Sequence, residues 1–289
     1  MKRTLRGFTL MELLVSVAII AVLVSVLLPA LNKARDQART LIGLENQRQT
    51  VTAGQQYAMS GRDRLPESVA TIGVESAWWN WQEPTVMTGF QARSPRMHRS
   101  LSGYLRSYLD DPSVLYCANV PDVYPYLKEL WAAGDAWDHP ETPPPEDPFT
   151  GTVGFFWNYL GVRADGAGVF RGPRSLDGGR DVSTLMVSEY LGFDHWRSPG
   201  AYGSCERMDN AVTTPGTLVS ASYWSVPQAE AADLADLDVR LHAGFLDGHV
   251  EAFRPEDTFP IKVSLTSDGS MPYPDGVGPG VYYLPNAAR

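Results

Sequence analysis

The sequence predicts an α+β fold in which one long N-terminal helix packs on an antiparallel β-sheet with long loop insertions. A charge-free apolar run covers residues 13–28, and an amphipathic pattern continues the helix to about Tyr57. The rest of the chain contains 26 Gly and 22 Pro, which favours short strands and loops over further long helices. An Asp-Gly pair between two strand-like runs, at Asp247 and Gly248, predicts an antiparallel hairpin.

The apolar run is long enough to cross a membrane. Residues 8–28 make about 21 residues, or about 30 Å of helix. Glu12 is the one charged side chain among them. An unpaired charge inside a membrane costs a few kcal/mol or more, so Glu12 requires a partner. A cut between Gly7 and Phe8 would create one, because the new amine of one subunit could meet the carboxylate of its neighbour in a helix bundle.

The residues around this cut resemble the N-terminus of type IV prepilins and of the pseudopilins of type II secretion. They are Gly7-Phe8-Thr9-Leu10-Met11-Glu12. The resemblance implies that prepilin peptidase cleaves after Gly7 and that Phe8 becomes the N-methylated terminus. It also implies that Glu12 serves assembly with copies of the chain and with other pilin-like subunits, through a secretion or pilus machinery. Pro29 lies where many members of this family carry a proline.

Two ordinary membrane-targeting segments are the alternatives. A secretory signal peptide has a shorter apolar core, no acid, and small residues at its cleavage site. Here the apolar run is long, and the helical pattern continues beyond it through residues 31–35. A plain signal anchor, in which Glu12 has no role, is the other alternative.

The predicted organisation has four parts: a leader (1–7), a transmembrane and assembly helix (8–28), an amphipathic second half of the helix (29–60) and an extracytoplasmic α+β domain (61–289). The leader is basic, so the positive-inside rule places the N-terminus in the cytoplasm of a bacterium and the domain outside the inner membrane. After assembly we expect a periplasmic or surface filament.

The net charge argues against nucleic acid as a partner. The chain carries −9 at pH 7, and removal of Lys2, Arg3 and Arg6 with the leader lowers this to about −12. A polyanion would repel such a protein. The predicted partners are therefore the membrane, the peptidase and other subunits.

Several shorter elements are predicted downstream. We expect the long helix to stop near Gly61, followed by a short helix over residues 101–109, a short strand over 114–117 and a strand over 182–189. Residues 240–251 predict a hairpin closed by a type I′ turn. This part is similar to a large pseudopilin-like family of bacteria, in which Asp-Gly-His follows a histidine by about nine residues. Here Asp247 follows His242 by five.

A tryptophan cluster at Trp78, Trp79 and Trp81 defines the competing class of function. Such a cluster can pack a loop on the domain or bind sugars. The second reading makes the protein a membrane-anchored extracytoplasmic binding module, with carbohydrate as a candidate ligand.

No cofactor is required by these patterns. His242, Asp247 and His249 do not specify zinc geometry, and hairpin packing explains them better. Calcium remains an option, because major pseudopilins often bind it late in the domain. Asp268 and Asp275 offer oxygens there, although their spacing is not that of an EF-hand.

Enzymatic activity is not predicted. The chain has no Gly-x-Ser-x-Gly elbow, no HExxH and no phosphate loop.

Cys117 and Cys205 are its two thiols, and both lie in the predicted extracytoplasmic part, where a disulfide can form. Two possibilities therefore stay open: one disulfide between the two cysteines, or two separate buried thiols.

Overall fold

The computed structural model describes residues 9–61, 63–72, 79–80, 84–85, 87, 100–116, 127–133, 153–189, 191–193, 201–203, 228–229, 240–263 and 280–289. The chain forms two compact units, Met1–Leu41 and Ile42–Arg289. The predicted α+β fold is confirmed: a long N-terminal helix, α1 (Leu10–Ser60), is followed by antiparallel sheets.

Helix α1 ends where the sequence predicts a stop. The main-chain N–H of Gly61 donates to the carbonyl of Tyr57 at 2.9 Å, and that of Asp63 donates to Ala58 at 2.9 Å. Asp63 adopts a φ of 68°, so it, and not Gly61, takes the left-handed conformation that satisfies the last carbonyls. Pro29 lies inside the helix, which continues through it.

Among the described residues, two further short α-helices and thirteen strands follow. The helices are α2 (Leu101–Leu105) and α3 (Leu127–Ala133). The strands are β1 (Thr71–Ile72), β2 (Trp79–Asn80), β3 (Val153–Phe155), β4 (Leu160–Arg163), β5 (Val169–Arg171), β6 (Leu185–Glu189), β7 (Leu191–Phe193), β8 (Ala201–Gly203), β9 (Gln228–Ala229), β10 (Leu241–Phe245), β11 (Val250–Phe253), β12 (Thr258–Val263) and β13 (Gly280–Pro285).

All strand pairs among the described residues are antiparallel. One sheet has the order β11-β10-β6-β3, a second has the order β5-β4-β12-β13-β7-β8-β9, and β1 pairs with β2. Strands β6 and β7 are separated by one residue and belong to different sheets. The single antiparallel sheet predicted from the sequence is therefore divided, with most of its strands in two separate sheets.

The four-stranded sheet is packed on both faces. Val51 of α1 lies in one apolar cluster with Val187 of β6. Ala243 and Phe245 of β10 lie in a second cluster with Ile261 and other residues of the seven-stranded sheet. A Cβ on Gly244, which lies between them, would instead meet Val51 and Val187. Because neighbouring residues of a strand point to opposite faces, the sheet is a middle layer between the second part of α1 and the larger sheet.

The hairpin of β10 and β11 is confirmed, but its turn type is not the predicted one. A type I′ turn needs positive φ at both central residues, whereas here Gly248 alone adopts it, with a φ of 90°. The N–H of Gly248 donates to the carbonyl of Phe245 at 2.9 Å, and that of Phe245 donates to His249 at 3.0 Å. This is a three-residue loop with a left-handed glycine at its end, a common alternative for Asp-Gly.

The strand predicted over residues 114–117 is wrong for its described part. Pro112–Leu115 is a 3₁₀ helix, and the carboxylate of Asp111 accepts the N–H of Ser113 at 3.0 Å. Asp before Pro is a strong helix-start signal, since the proline ring presets φ and the carboxylate satisfies a free N–H. Of the short helix expected over 101–109, the first part is confirmed as α2 (Leu101–Leu105), with Ser100 as its N-cap.

Candidate processing and assembly site

Thr9 and Glu12 close the start of α1 with reciprocal hydrogen bonds. The main-chain N–H of Thr9 donates to Oε2 of Glu12 at 2.9 Å, and the Thr9 hydroxyl donates to the same oxygen at 2.8 Å. The N–H of Glu12 lies 3.3 Å from Oγ1 of Thr9, which accepts it. This is a capping box. It occupies N–H groups that would otherwise lack partners at the first turn of the helix.

Sequence reasoning assigned Glu12 to a neighbour's amine and missed this local role. The signal was present as Thr-x-x-Glu immediately before an apolar run. The two roles are compatible, because the bonds to Thr9 use one carboxylate oxygen and an ionised carboxylate has about four acceptor positions. Gly7 and Phe8 lie outside the described residues, so cleavage and methylation there stay predictions.

Within the Met1–Leu41 unit, the apolar side chains of the first part of α1 are exposed. Leu10 is 81% exposed and Leu27 is 63% exposed. The helix is long and apolar enough to cross a membrane. The two serines of residues 10–28 are satisfied internally, since Ser16 donates to the carbonyl of Glu12 and Ser25 to that of Val22, each at 2.7 Å. Lipid or neighbouring apolar helices are the environments that suit such a surface.

The second part of α1 is tied to the middle sheet by buried polar groups. Gln47 donates from Nε2 to the carbonyl of His242 at 3.0 Å. Glu189 accepts the main-chain N–H of His242 at 3.0 Å, and its other oxygen lies 3.1 Å from Nδ1 of the same histidine. Gln47, Glu189 and His242 are all buried. This cluster fixes the helix on β6 and β10.

The two histidines of the C-terminal segment have different partners. His242 is buried against Glu189, whereas His249 is exposed, stacks on the ring of Phe245 with centroids 4.5 Å apart, and pairs through Nδ1 with Asp247. The N–H of His249 is the main cause that lowers the pKa of Asp247. Among the described residues, no three His, Cys, Asp or Glu side chains form a group that could hold a metal ion.

Several predicted positions lie outside the described residues. They are Cys117 and Cys205 of the candidate disulfide, Trp78 and Trp81 of the aromatic cluster, and Asp268 and Asp275 of the candidate calcium loop. Trp79 is described as part of strand β2. The disulfide, the sugar-binding reading and calcium therefore stay predictions.

The comparison with protein families supports the N-terminal assignment. The prokaryotic N-terminal methylation motif matches residues 2–28. The matched segment contains the basic leader, Gly7, Phe8, Glu12 and the apolar run, and it supports a type IV pilin-like or pseudopilin-type precursor. The His242 to His249 segment lies outside the match. Neither the search of curated proteins nor that of solved structures gave a match.

Proposed function

We propose that this chain is a structural subunit of a pilus or of a type II secretion pseudopilus. The observation that carries the proposal is the methylation motif over residues 2–28, whose apolar part lies in an unbroken helix of 51 residues, Leu10–Ser60. Prepilin peptidase cleaves after Gly7, the amine of Phe8 is methylated, and the subunits assemble through the first part of α1.

The apolar surface of α1 supplies the driving force for assembly. Large side chains such as Leu13 and Ile20 are more than half exposed, and they pack against the same helix of neighbouring copies when the subunit leaves the lipid. Packing and polar pairing, more than the hydrophobic effect, drive such association from a membrane. Glu12 adds selectivity by pairing with the Phe8 amine of a neighbour.

The proposed topology is a single pass through the bacterial inner membrane. Lys2, Arg3 and Arg6 precede the apolar run, which keeps the N-terminus cytoplasmic. The antiparallel sheets then lie on the outer side of that membrane and later in a periplasmic or surface filament. The proposed partners are the peptidase, other pilin-like subunits and the assembly machinery, with no nucleic acid.

The proposed role is assembly rather than catalysis. No described residue favours the alternative of a sugar-binding module.

No cofactor is part of the proposed mechanism. We expect filaments to form in the presence of a chelator, and assembly that requires added calcium would instead indicate a calcium site in the domain.

Co-expression with a prepilin peptidase tests the processing step. We expect the N-terminal residue of the product to be N-methyl-phenylalanine, and Gly7→Leu to leave the full-length precursor in the membrane. A wild-type product that begins at Met1 would contradict the proposal. A start beyond residue 28 would indicate an ordinary signal peptide. Electron microscopy of sheared material, with the Gly7→Leu strain as control, tests filament formation itself.

A further inference from the structure

The exposed face of α1 over residues 45–56 forms the floor of a groove in the Ile42–Arg289 unit. Residues 108–114, between α2 and the end of the 3₁₀ helix, form its wall, and the groove encloses about 500 Å³. The wall is anchored to the helix, since the hydroxyl of Tyr108 bonds to that of Ser60 and its ring packs edge-on against Tyr57 with centroids 6.2 Å apart. The groove is therefore preformed.

The groove has an acidic lining. Glu45, Asp110 and Asp111 contribute carboxylates, whereas Arg48 is the one basic side chain among the described residues that line it. Arg48 already pairs with Glu45 at 3.3 Å. The charge that faces a ligand from the wall is therefore that of the two aspartates. The pKa of Asp111 lies below its usual range, chiefly because the carboxylate accepts the N–H of Ser113, so it is charged at neutral pH.

The chain itself carries a segment of opposite charge. Residues 31–41 of α1 contain Lys33, Arg35 and Arg39 against one acid, Asp36. The three basic side chains are exposed. The segment is about 15 Å long and the floor of the groove about 16 Å, at 1.5 Å per residue. Leu31 and Leu41, at its two ends, are 48% and 65% exposed.

We propose that the groove over residues 45–56 and 108–114 receives residues 31–41 of α1 from a second copy of the chain. The inference rests on the proposed assembly function and adds to it a contact outside the membrane. Basic side chains of one copy meet the aspartates of the wall of the next. Leu31 and Leu41 supply apolar contacts at the two ends of the segment.

A second copy fits this groove for a geometric reason. The groove and the basic segment are different surfaces of one chain, so their contact is heterologous. A heterologous contact that does not close into a ring generates an open helical filament. Every copy then uses its segment toward one neighbour and its groove toward another, which is the arrangement that a filament needs.

A cross-linker placed in the groove tests the contact directly. A photoreactive amino acid replaces Thr52, an exposed residue of the floor, in the full chain expressed with its peptidase and assembly machinery. We expect a cross-linked dimer whose joined peptide maps to residues 31–41. The matched control replaces Glu256, an exposed residue outside the groove, and should give no product with that segment.

Charge reversal tests the electrostatic basis. We expect the wall variant Asp110→Lys/Asp111→Asn to reduce sheared filaments roughly tenfold or more, because like charges then face each other. Asparagine keeps the cap of the 3₁₀ helix. The segment variant Arg35→Glu/Arg39→Glu should show the same loss, and the two combined should recover filaments. Glu256→Lys is the control and should leave filaments at the wild-type level.

The outcomes separate this inference from the proposed function. Wild-type filaments with cross-links that map outside residues 31–41, or to a different protein, overturn the groove contact and leave the assembly function standing. The same holds if both charge variants assemble as well as wild type. Absence of filaments from the wild-type chain overturns the proposed function and this contact with it.

Discussion

Gln47 of α1 donates a hydrogen bond of 3.0 Å to the carbonyl of His242 in β10, across 195 positions of the chain. The amide is buried, and its Oε1 accepts no hydrogen bond from the described residues. A buried polar group is stable when it is paired and costly when it is not. This bond therefore adds to the apolar contacts of Val51 in fixing the face of the helix that meets the sheet.

Substitution of Gln47 should reveal this role. Gln47→Leu loses one hydrogen bond but also removes an unsatisfied amide oxygen, so we expect a loss of about 1 kcal/mol in the free energy of unfolding. Gln47→Glu places a buried carboxylate against the carbonyl of His242 and loses the N–H that donates to it, so we expect a loss of about 3 kcal/mol or more. Thermal unfolding of the full chain in detergent measures both. Equal stability of Gln47→Glu and wild type would contradict this description.

The pair of Glu189 and His242 gives a second prediction. Glu189→Leu removes the acceptor for the main-chain N–H and for Nδ1 of His242. Removing one partner of a buried hydrogen-bonded pair leaves the other unsatisfied, which costs about 1–3 kcal/mol. Because the two side chains interact directly, the loss in Glu189→Leu/His242→Leu should be smaller than the sum of the single losses. A double-mutant cycle by denaturant unfolding measures this coupling, and strictly additive losses would argue against it.

Gly244 and Gly54 both lie at the contact between α1 and the middle sheet, so the effects of replacing each by alanine can be compared. A Cβ at Gly244 would lie 2.8 Å from Cγ2 of Val51 and 2.9 Å from Cγ2 of Val187, whereas a Cβ at Gly54 would meet the flexible end of Met186 at 2.9 Å. Branched valines cannot move aside as a methionine can.

We therefore expect Gly244→Ala to cost about 1–3 kcal/mol by overpacking. Gly54→Ala should be close to neutral, since the helix gains about 1 kcal/mol from alanine. Unfolding midpoints of the two variants, measured side by side, test the ranking. A larger loss for Gly54→Ala would mean that the helix approaches the sheet most closely at that position instead.

The turn between β4 and β5 should make the stability of the fold depend on pH. Arg163 donates to the carboxylate of Asp165 at 3.0 Å, and Ala167 donates its N–H at 3.0 Å. The Arg163 side chain is the main cause that lowers the pKa of Asp165 from its ordinary 3.8 to about 2. The native state thus binds the proton less tightly than the unfolded chain, and the stabilisation is present above about pH 4.

This contribution should shrink as the pH falls from about 4 to 2 and vanish only below the native pKa of about 2, where the carboxylate is protonated in both states. Asp165→Asn keeps an acceptor for Ala167 but loses the charge. We expect the small difference in stability between wild type and Asp165→Asn to be present at pH 6 and to be strongly reduced near pH 2. A difference that grows on acidification would have the wrong sign for this pair.

Short sequence patterns predicted much of this fold, but they did not predict which distant segments of the chain contact one another. Apolar periodicity and Gly61 predicted the helix and its end, because both signals are local. The division into two sheets depends on which strands pair across the chain, and no short pattern encodes that pairing. The cluster of Glu189 and His242 was missed for the same reason, because its members lie 53 positions apart. The capping box at Thr9, by contrast, was readable from four adjacent residues.

The double role of Glu12 leads to the last prediction. If Glu12 served only to cap α1, Glu12→Gln would be harmless, because glutamine fills the same place in a capping box. If its charge also pairs with the Phe8 amine of a neighbour, Glu12→Gln should lose filaments almost as fully as Glu12→Leu, while insertion into the membrane survives in both.

Thr9→Val is the matched control, since it removes the capping hydroxyl but keeps the carboxylate. We expect Thr9→Val to assemble with a helix start weakened by about 1 kcal/mol. Fractionation of membranes and sheared filaments compares the three variants with wild type. Wild-type levels of filaments from Glu12→Gln would restrict Glu12 to the capping bonds that it makes within its own chain.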